Sequence, residues 1–121
     1  MSIDFDKAMS VHADALKTRT ERTKILAANI ANENTPGFQA RDMDFSAAMR
    51  EQSADGAGGL ALDTDGTDAL YRVPYHPTQD GNTVEIGVEQ AAFSQNANDF
   101  QTTLTFLNMQ IKGLAKAIAG Q

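Results

Sequence analysis

The side chains best placed to do chemistry are acidic. In Asp63-Thr64-Asp65-Gly66-Thr67-Asp68 the carboxylates recur around a glycine, an arrangement that can gather oxygens around a hard cation such as calcium. The spacing does not complete a calcium loop, because an EF-hand needs Gly sixth and Glu twelfth, whereas Gly66 is fourth and Pro74 twelfth counted from Asp63. The expectation is an acidic, solvated loop and no metal. His12 and His76 lie far apart in the chain, there is no cysteine, and no serine sits in a glycine-flanked elbow. A histidine dyad, the machinery of a nucleophilic hydrolase and a thiolate metal site are therefore not expected, and neither a catalytic residue nor a cofactor site is assigned. Asn29, Asn32 and Asn34 form the remaining polar cluster. Side-chain amides near a helix end satisfy free backbone groups and turns, so these three are read as capping and subunit-contact residues.

Charge narrows the classes further. The chain of 121 residues carries a formal net charge of -6, which repels a phosphate polyanion. The one basic cluster, Lys17, Arg19, Arg22 and Lys24, is interrupted by Glu21 and reads as a solvated or partner-facing stripe of a helix, not a nucleic-acid surface. Met1 to Leu16 contains Asp4, Asp6 and Asp14 and no apolar run of the kind that marks a secretory signal. No segment approaches the ~20 apolar residues of a membrane span. On these grounds alone the chain reads as a soluble cytoplasmic protein.

The elements that must position these residues are mainly helical. From about Asp4 to Ala31 there is neither Pro nor Gly, and the composition favours one long helix with Met9, Leu16, Leu26 and Ile30 on its apolar stripe. His12, Arg19 and Thr23 fill the gaps of that stripe and make its middle polar. The helix closes at Asn32-Glu33-Asn34-Thr35-Pro36-Gly37, where Pro36 and Gly37 suit the two central positions of a type II turn. Gln39 to Phe45 is expected to run extended, with Phe38, Met43 and Phe45 folding back onto the helix, and a short helical turn is expected from about Phe45 to Glu51. Ser53 to Gly87 is punctuated by glycines and prolines and reads as irregular. Short extended pieces are expected at Ala69 to Val73 and Thr83 to Ile86, and residues 53–68 are expected to be mobile unless a neighbour holds them.

The last segment carries the strongest periodicity. Phe93, Ala97, Phe100, Leu104, Leu107, Ile111, Leu114 and Ile118 recur at alternating steps of four and three, the pattern of a left-handed coiled-coil seam. A helix from about Val88 to Ile118 would be roughly 45 Å long at ~1.5 Å per residue. The fold class expected is therefore mainly α, with long N- and C-terminal helices packed as a coiled-coil-like hairpin and joined by an irregular Gly/Pro-rich centre with short extended segments. Its parts are residues 1–35, 36–87 and 88–121, together one axial domain. Two helices leave part of each apolar stripe uncovered, and the remainder predicts association with other subunits.

Leu26-Ala27-Ala28-Asn29-Ile30-Ala31-Asn32-Glu33-Asn34-Thr35-Pro36-Gly37-Phe38 resembles the signature of the flagellar rod and hook protein family. The continuation Gln39-Ala40-Arg41-Asp42-Met43-Asp44-Phe45 is similar to the stretch that marks proximal rod members of that family. Tyr71-Arg72-Val73-Pro74, Asp80-Gly81-Asn82-Thr83-Val84-Glu85 and Thr103-Leu104-Thr105-Phe106-Leu107-Asn108 also resemble proximal rod stretches. Only residues 53–68 lack a counterpart; Ala28 replaces a common Asn, and Phe38-Gln39 a Tyr-Lys pair. The resemblance implies that Asn29, Ile30, Asn32, Asn34, Thr35, Pro36, Gly37, Phe38, Arg41, Asp42, Asp44 and Phe45 form the family motif. It further implies a structural subunit, exported by the flagellar type III apparatus without a cleaved signal and built into the periplasmic rod, which revises the cytoplasmic reading. The partners implied are copies of itself, other rod proteins, the rod adaptor protein FliE and the MS-ring protein. The competing reading is a cytosolic helical-hairpin adaptor or export chaperone, which would need the same heptads but would stay inside the cell.

Overall fold

A computed structural model describes residues 4–54 and 69–120. Along the chain it comprises α1 (Phe5–Ala31), β1 (Arg41–Met43), α2 (Phe45–Ala54), β2 (Ala69–Tyr71) and α3 (Ile86–Ala119). Asp4 starts α1 by accepting the Lys7 backbone N–H at 3.1 Å, satisfying one of the donors that a helix start leaves free. The helix stops where the sequence predicts. Phe38 N–H donates to the Thr35 carbonyl at 3.2 Å across Pro36 and Gly37, and Gly37 takes φ 74°, the left-handed geometry that glycine enters without penalty. Asp44 then caps α2, its Oδ1 accepting the N–H groups of Ser46 and Ala47 at 2.9 and 3.2 Å.

α1 and α3 pack against each other as an antiparallel hairpin, and β1 and α2 lie against α1. Two long-range pairs set the register, Arg19 with Asp99 and Asn29 with Glu89. β1 and β2 pair antiparallel, with Arg41 opposite Tyr71, Asp42 opposite Leu70 and Met43 opposite Ala69. Among the described residues the buried apolar side chains are only Ala15, Leu26, Ala40, Met43 and Ala48, and they are matched by Thr18, Asn29, Asn82, Glu89 and Asn96. An interior so polar is held by directional bonds more than by apolar area.

That balance alters the predicted seam of α3. Phe100, Leu107 and Leu114 are half-buried, in alternation with buried Asn96 and half-buried Thr103 and Gln110, so the inner face mixes one apolar row with a polar row repeating every seven residues from Glu89. Ala97, Leu104, Ile111 and Ile118 are exposed, and Phe93 is only at the edge of that inner face, 36% exposed. The eight positions thus divide between the intramolecular packing and the outer surface. The rotation follows from Glu89 and Asn96, whose side chains bond Asn29, Arg19 and Thr23 of α1. On α1, Leu26 is buried and Met9, His12, Leu16, Arg19, Thr23 and Ile30 are half-buried, with Ala15 and Thr18 completing the inner face.

Three local expectations change. The helical turn after Phe45 continues to Ala54, taking in Ser53. Thr83 to Ile86 forms no strand, because α3 begins at Ile86; Thr83 instead ties Phe38 and Ala40, donating its N–H to the Phe38 carbonyl at 2.9 Å and accepting the Ala40 N–H on Oγ1 at 2.7 Å. Of the predicted extended piece Ala69 to Val73, the strand occupies the first three residues. The acidic run Asp63 to Asp68 lies outside the described residues, as does all of the expected mobile stretch from residue 55 on.

Candidate functional site

The motif residues converge where α1 ends, at a polar clasp joining four chain segments. Asn29, on the last turns of α1, is 1% exposed and uses its amide as a surrogate strand. Its Oδ1 accepts the Arg41 N–H at 3.1 Å and its Nδ2 donates to the Arg41 carbonyl at 2.6 Å, so the open edge of β1 is closed by a side chain. The same Nδ2 donates to Glu89 Oε2 at 3.0 Å and links α1 to α3.

Asn82, between Gly81 and Thr83, performs the corresponding task for the end of α1. Its Nδ2 donates to the carbonyls of Asn32, Glu33 and Thr35 at 3.0, 2.7 and 2.9 Å, taking up acceptors that the helix end and turn would otherwise leave free. Its Oδ1 accepts the Val84 N–H at 2.8 Å, and Gly37 N–H donates to the Asp80 carbonyl at 3.0 Å. The Thr-Pro-Gly turn and the Asp-Gly-Asn-Thr turn are therefore one structure. Asn32 Nδ2 donates to the Ala28 carbonyl at 2.7 Å, and Thr35 Oγ1 donates to Asn32 Oδ1 at 3.1 Å.

A charged layer lies beside the amides. Arg22 grips Asp42 with both Nε and Nη2 at 2.9 Å, and Arg72 Nη2 reaches the same carboxylate at 2.8 Å. Burial pushes the Asp42 carboxyl upward, but the Arg22 hydrogen bond and charge, the Met43 N–H and the Arg72 charge together outweigh it and hold it below the usual carboxylate range. The Asp42 hydrogen bond raises the Arg22 guanidinium in turn, against its own burial. Arg72 also places Nε 3.4 Å from Oε1 of the fully buried Glu89, giving that carboxylate a compensating charge. Further along the hairpin, Arg19 pairs with Asp99 at 3.2 Å and stacks 3.9 Å above the Phe45 ring. Asn96 Nδ2 donates to the Arg19 carbonyl and to Thr23 Oγ1 at 3.0 and 2.8 Å.

This arrangement orients backbone; it does not assemble a reacting group. Asp42 and Glu89 are engaged by arginines, and no cluster of three or more His, Asp or Glu side chains able to hold a metal occurs among the described residues. The structure brings Asn29, Asn32, Thr35, Gly37, Phe38, Arg41 and Asp42 together with the 80–85 turn, while Asp44 and Phe45 start α2 beside it. Ile30 is half-buried, and Asn34 and Pro36 are exposed on the turn. Arg19 and Arg22 correct the stripe reading of the basic cluster: both turn inward to Asp99 and Asp42, because those carboxylates sit within reach of the α1 face. Sequence reasoning missed Asn82, Arg72, Glu89 and Asn96 as site residues. For Glu89 and Asn96 the heptad recurrence with Thr103 and Gln110 was the available signal; Asn82 and Arg72 had no such pattern.

Outside the clasp, α3 shows an apolar surface. Leu104, Phe106, Met109, Ile111 and Ile118 range from 40 to 72% exposed. Residues 9–39 match the family model described as "Flagella basal body rod protein". A relative from Aeromonas hydrophila named "Flagellar basal body rod protein FlgB" is 43% identical, the match covering 100% of this chain and 99% of the relative. Relatives of the same name from Cereibacter sphaeroides and Salmonella typhimurium are 43 and 39% identical over 97 and 95% of this chain, and 98 and 95% of their own lengths. The adaptor or chaperone reading finds no support in these comparisons.

Proposed function

This chain belongs to the flagellar basal body rod protein family and is a structural component of that rod, and from this premise we propose how it is built in. It sits in the flagellar basal body and associates with other basal-body components. The finer reading is a subunit of the proximal rod, placed in the periplasm between the MS ring and the distal rod and transmitting torque. It would arrive there through the flagellar type III apparatus without a cleaved signal. Further copies, other rod proteins, FliE and the MS-ring protein are the neighbours proposed. The residues proposed to act are the motif Asn29 to Phe45, which fixes the turn, and the terminal-helix positions from Met9 to Ile30 and Phe93 to Ile118, which pack. Its role is structural, and no catalytic step is assigned to it.

One observation carries this reading: the hairpin turns its polar row, Glu89 and Asn96, inward to α1, yet leaves the row Ala97, Leu104, Ile111 and Ile118 exposed. Burying large side chains of this kind is worth about 1.5–3 kcal/mol each, a gain available only from neighbouring subunits. Contacts between unlike faces, repeated without closure, build a helical filament. Ile111→Asp tests it, since the position faces outward and a charge there need not disturb the hairpin. The expected result is an unchanged helical circular dichroism spectrum with loss of rod assembly and swimming. Leu107→Asp, on the half-buried inner row, should lose helicity as well. Normal swimming of the Ile111→Asp strain would overturn the proposal.

A further inference from the structure

Residues 72–85 run from β2 to α3 as a strap across the end of the hairpin. The Arg72 N–H donates to the Ala40 carbonyl and the Thr83 N–H to the Phe38 carbonyl, both at 2.9 Å. Between these points the N–H groups of Tyr75 and His76 donate to the Glu85 carboxylate at 3.2 Å, so the strap is also tied to itself. Among the described residues its one ion pair with α3 is that of Arg72 Nε with Glu89 Oε1, at 3.4 Å.

Glu89 depends on that pair. Its side chain is 0% exposed, Asn29 serves Oε2, and Oε1 accepts no hydrogen bond among the described residues. Arg22 feels the Glu89 charge, but its hydrogen bonds go to Asp42. The row therefore reads Arg22, Asp42, Arg72, Glu89, with charges alternating and drawn in turn from α1, β1, the strap and α3. Lifting the strap leaves Arg22 with Asp42 as a complete pair. Glu89 is then a buried carboxylate with no paired countercharge among the described residues.

A buried ion pair adds little net stability, yet removing one partner is costly because the other charge stays behind. Such a pair makes two elements depend on each other more than it strengthens either. We propose that Arg72 and Glu89 form a latch through which the strap licenses the closure of α3 on α1. With the strap docked, α3 buries Glu89 against Asn29. With it lifted, the first turns of α3 must carry Glu89 out to water and so leave α1. Phe93 and Ala97 follow Glu89 by about one and two turns, so the start of the exposed α3 surface is held in fixed relation to α1 only in the latched state. That consequence for assembly rests on the reading above, whereas the latch itself is a property of a single chain.

Hydrogen exchange, resolved residue by residue in the full chain, tests the latch. Arg72→Met removes the charge and keeps an unbranched stem. It should speed exchange of the Ala92, Phe93 and Asn96 N–H groups about a hundredfold, while Leu107 and Asn108, further along α3, change by less than about threefold. In a Glu89→Gln background the same replacement should alter Ala92, Phe93 and Asn96 by no more than about threefold, because no buried charge then depends on the strap. Asp42 loses Arg72 in both backgrounds, so the difference between them belongs to Glu89. The latch is overturned if Arg72→Met speeds only the strap amides, such as that of Thr83, or if α3 loses equal protection in the two backgrounds. It is also overturned if Glu89→Gln alone opens α3 as far as Arg72→Met does. Should Arg72→Met unfold the chain outright, circular dichroism of the Arg72→Met/Glu89→Gln double variant decides: recovered helicity supports the latch, and continued unfolding overturns it. Swimming of the Ile111→Asp strain bears on the assembly reading alone, so the two fail separately.

Discussion

Replacing Asn82 distinguishes a donor from a mere space-filler at the end of α1. The side chain is 5% exposed, and its Nδ2 serves three carbonyls while its Oδ1 holds the Val84 N–H. A typical hydrogen bond contributes about 1 kcal/mol net, and a buried group left without a partner costs more. Glu33 and Thr35 are exposed residues, so water can reach their carbonyls and soften the loss. Asn82→Ala is therefore expected to destabilise the chain by about 2–3 kcal/mol. Asn82→Asp has nearly the same shape and keeps the acceptor for Val84, but it turns a carboxylate toward three carbonyl oxygens at the negative end of the α1 dipole. It should be worse than alanine by about 1 kcal/mol or more at neutral pH. In this variant the folded state raises the carboxyl pKa, so the deficit relative to alanine should shrink as the pH falls and the group protonates. Urea unfolding followed by circular dichroism reads this as a midpoint shift of about 1–2 M for alanine, taking an m value of ~1.5–2 kcal/mol/M. An aspartate variant as stable as the alanine variant at neutral pH would refute the donor role.

Asp42→Asn should destabilise by about 2 kcal/mol, less than the ~3–5 kcal/mol of a fully buried broken pair because the Asp42 side chain is 25% exposed. Its folded pKa lies below the ordinary carboxylate range, so its contribution is complete above that range and is lost as the pH falls through the lowered value. Urea midpoints from pH 6 to pH 2.5 should therefore drop more steeply in the parent chain than in the variant, and parallel curves would count against the pairing. Gly37→Val should lose about 1–2 kcal/mol from backbone strain at φ 74° alone, since a Cβ there meets nothing within 4 Å. Gly37→Asn should lose distinctly less, and equal losses in the same melts would show that side-chain crowding, not the backbone, is responsible.

The helices were legible because their signals are local. Asp4, the Pro-free run to Ala31 and the Thr-Pro-Gly stop each act within a few residues, and the structure places α1 within one residue of the expected limits. The 3/4 spacing of α3 likewise identified a helix, but not which side of it faces α1. That orientation depends on Glu89 finding Asn29, 60 positions away, and on Asn96 finding Arg19 and Thr23. A seam judged by hydrophobicity alone is turned toward its apolar rows, whereas here a polar row had partners waiting. Asn82 was hidden for the same reason: in sequence it is a turn residue, and only the approach of the Thr35 turn makes it a cap. Asn29 and Asp42 were recognisable as members of a motif, although nothing local showed that one closes a strand edge and the other joins two arginines.

The interior of this hairpin carries much of its polarity and its surface much of its grease, which separates two thermodynamic signatures that ordinary domains mix. Melting a single chain should expose little new apolar area, so its heat-capacity increment should fall below the ~12–15 cal/mol/K per residue of typical globular proteins. Joining copies through Leu104, Ile111 and Ile118 should instead show a large negative increment, the mark of apolar association. On chilling, the polymer would then loosen before its building blocks lose their shape.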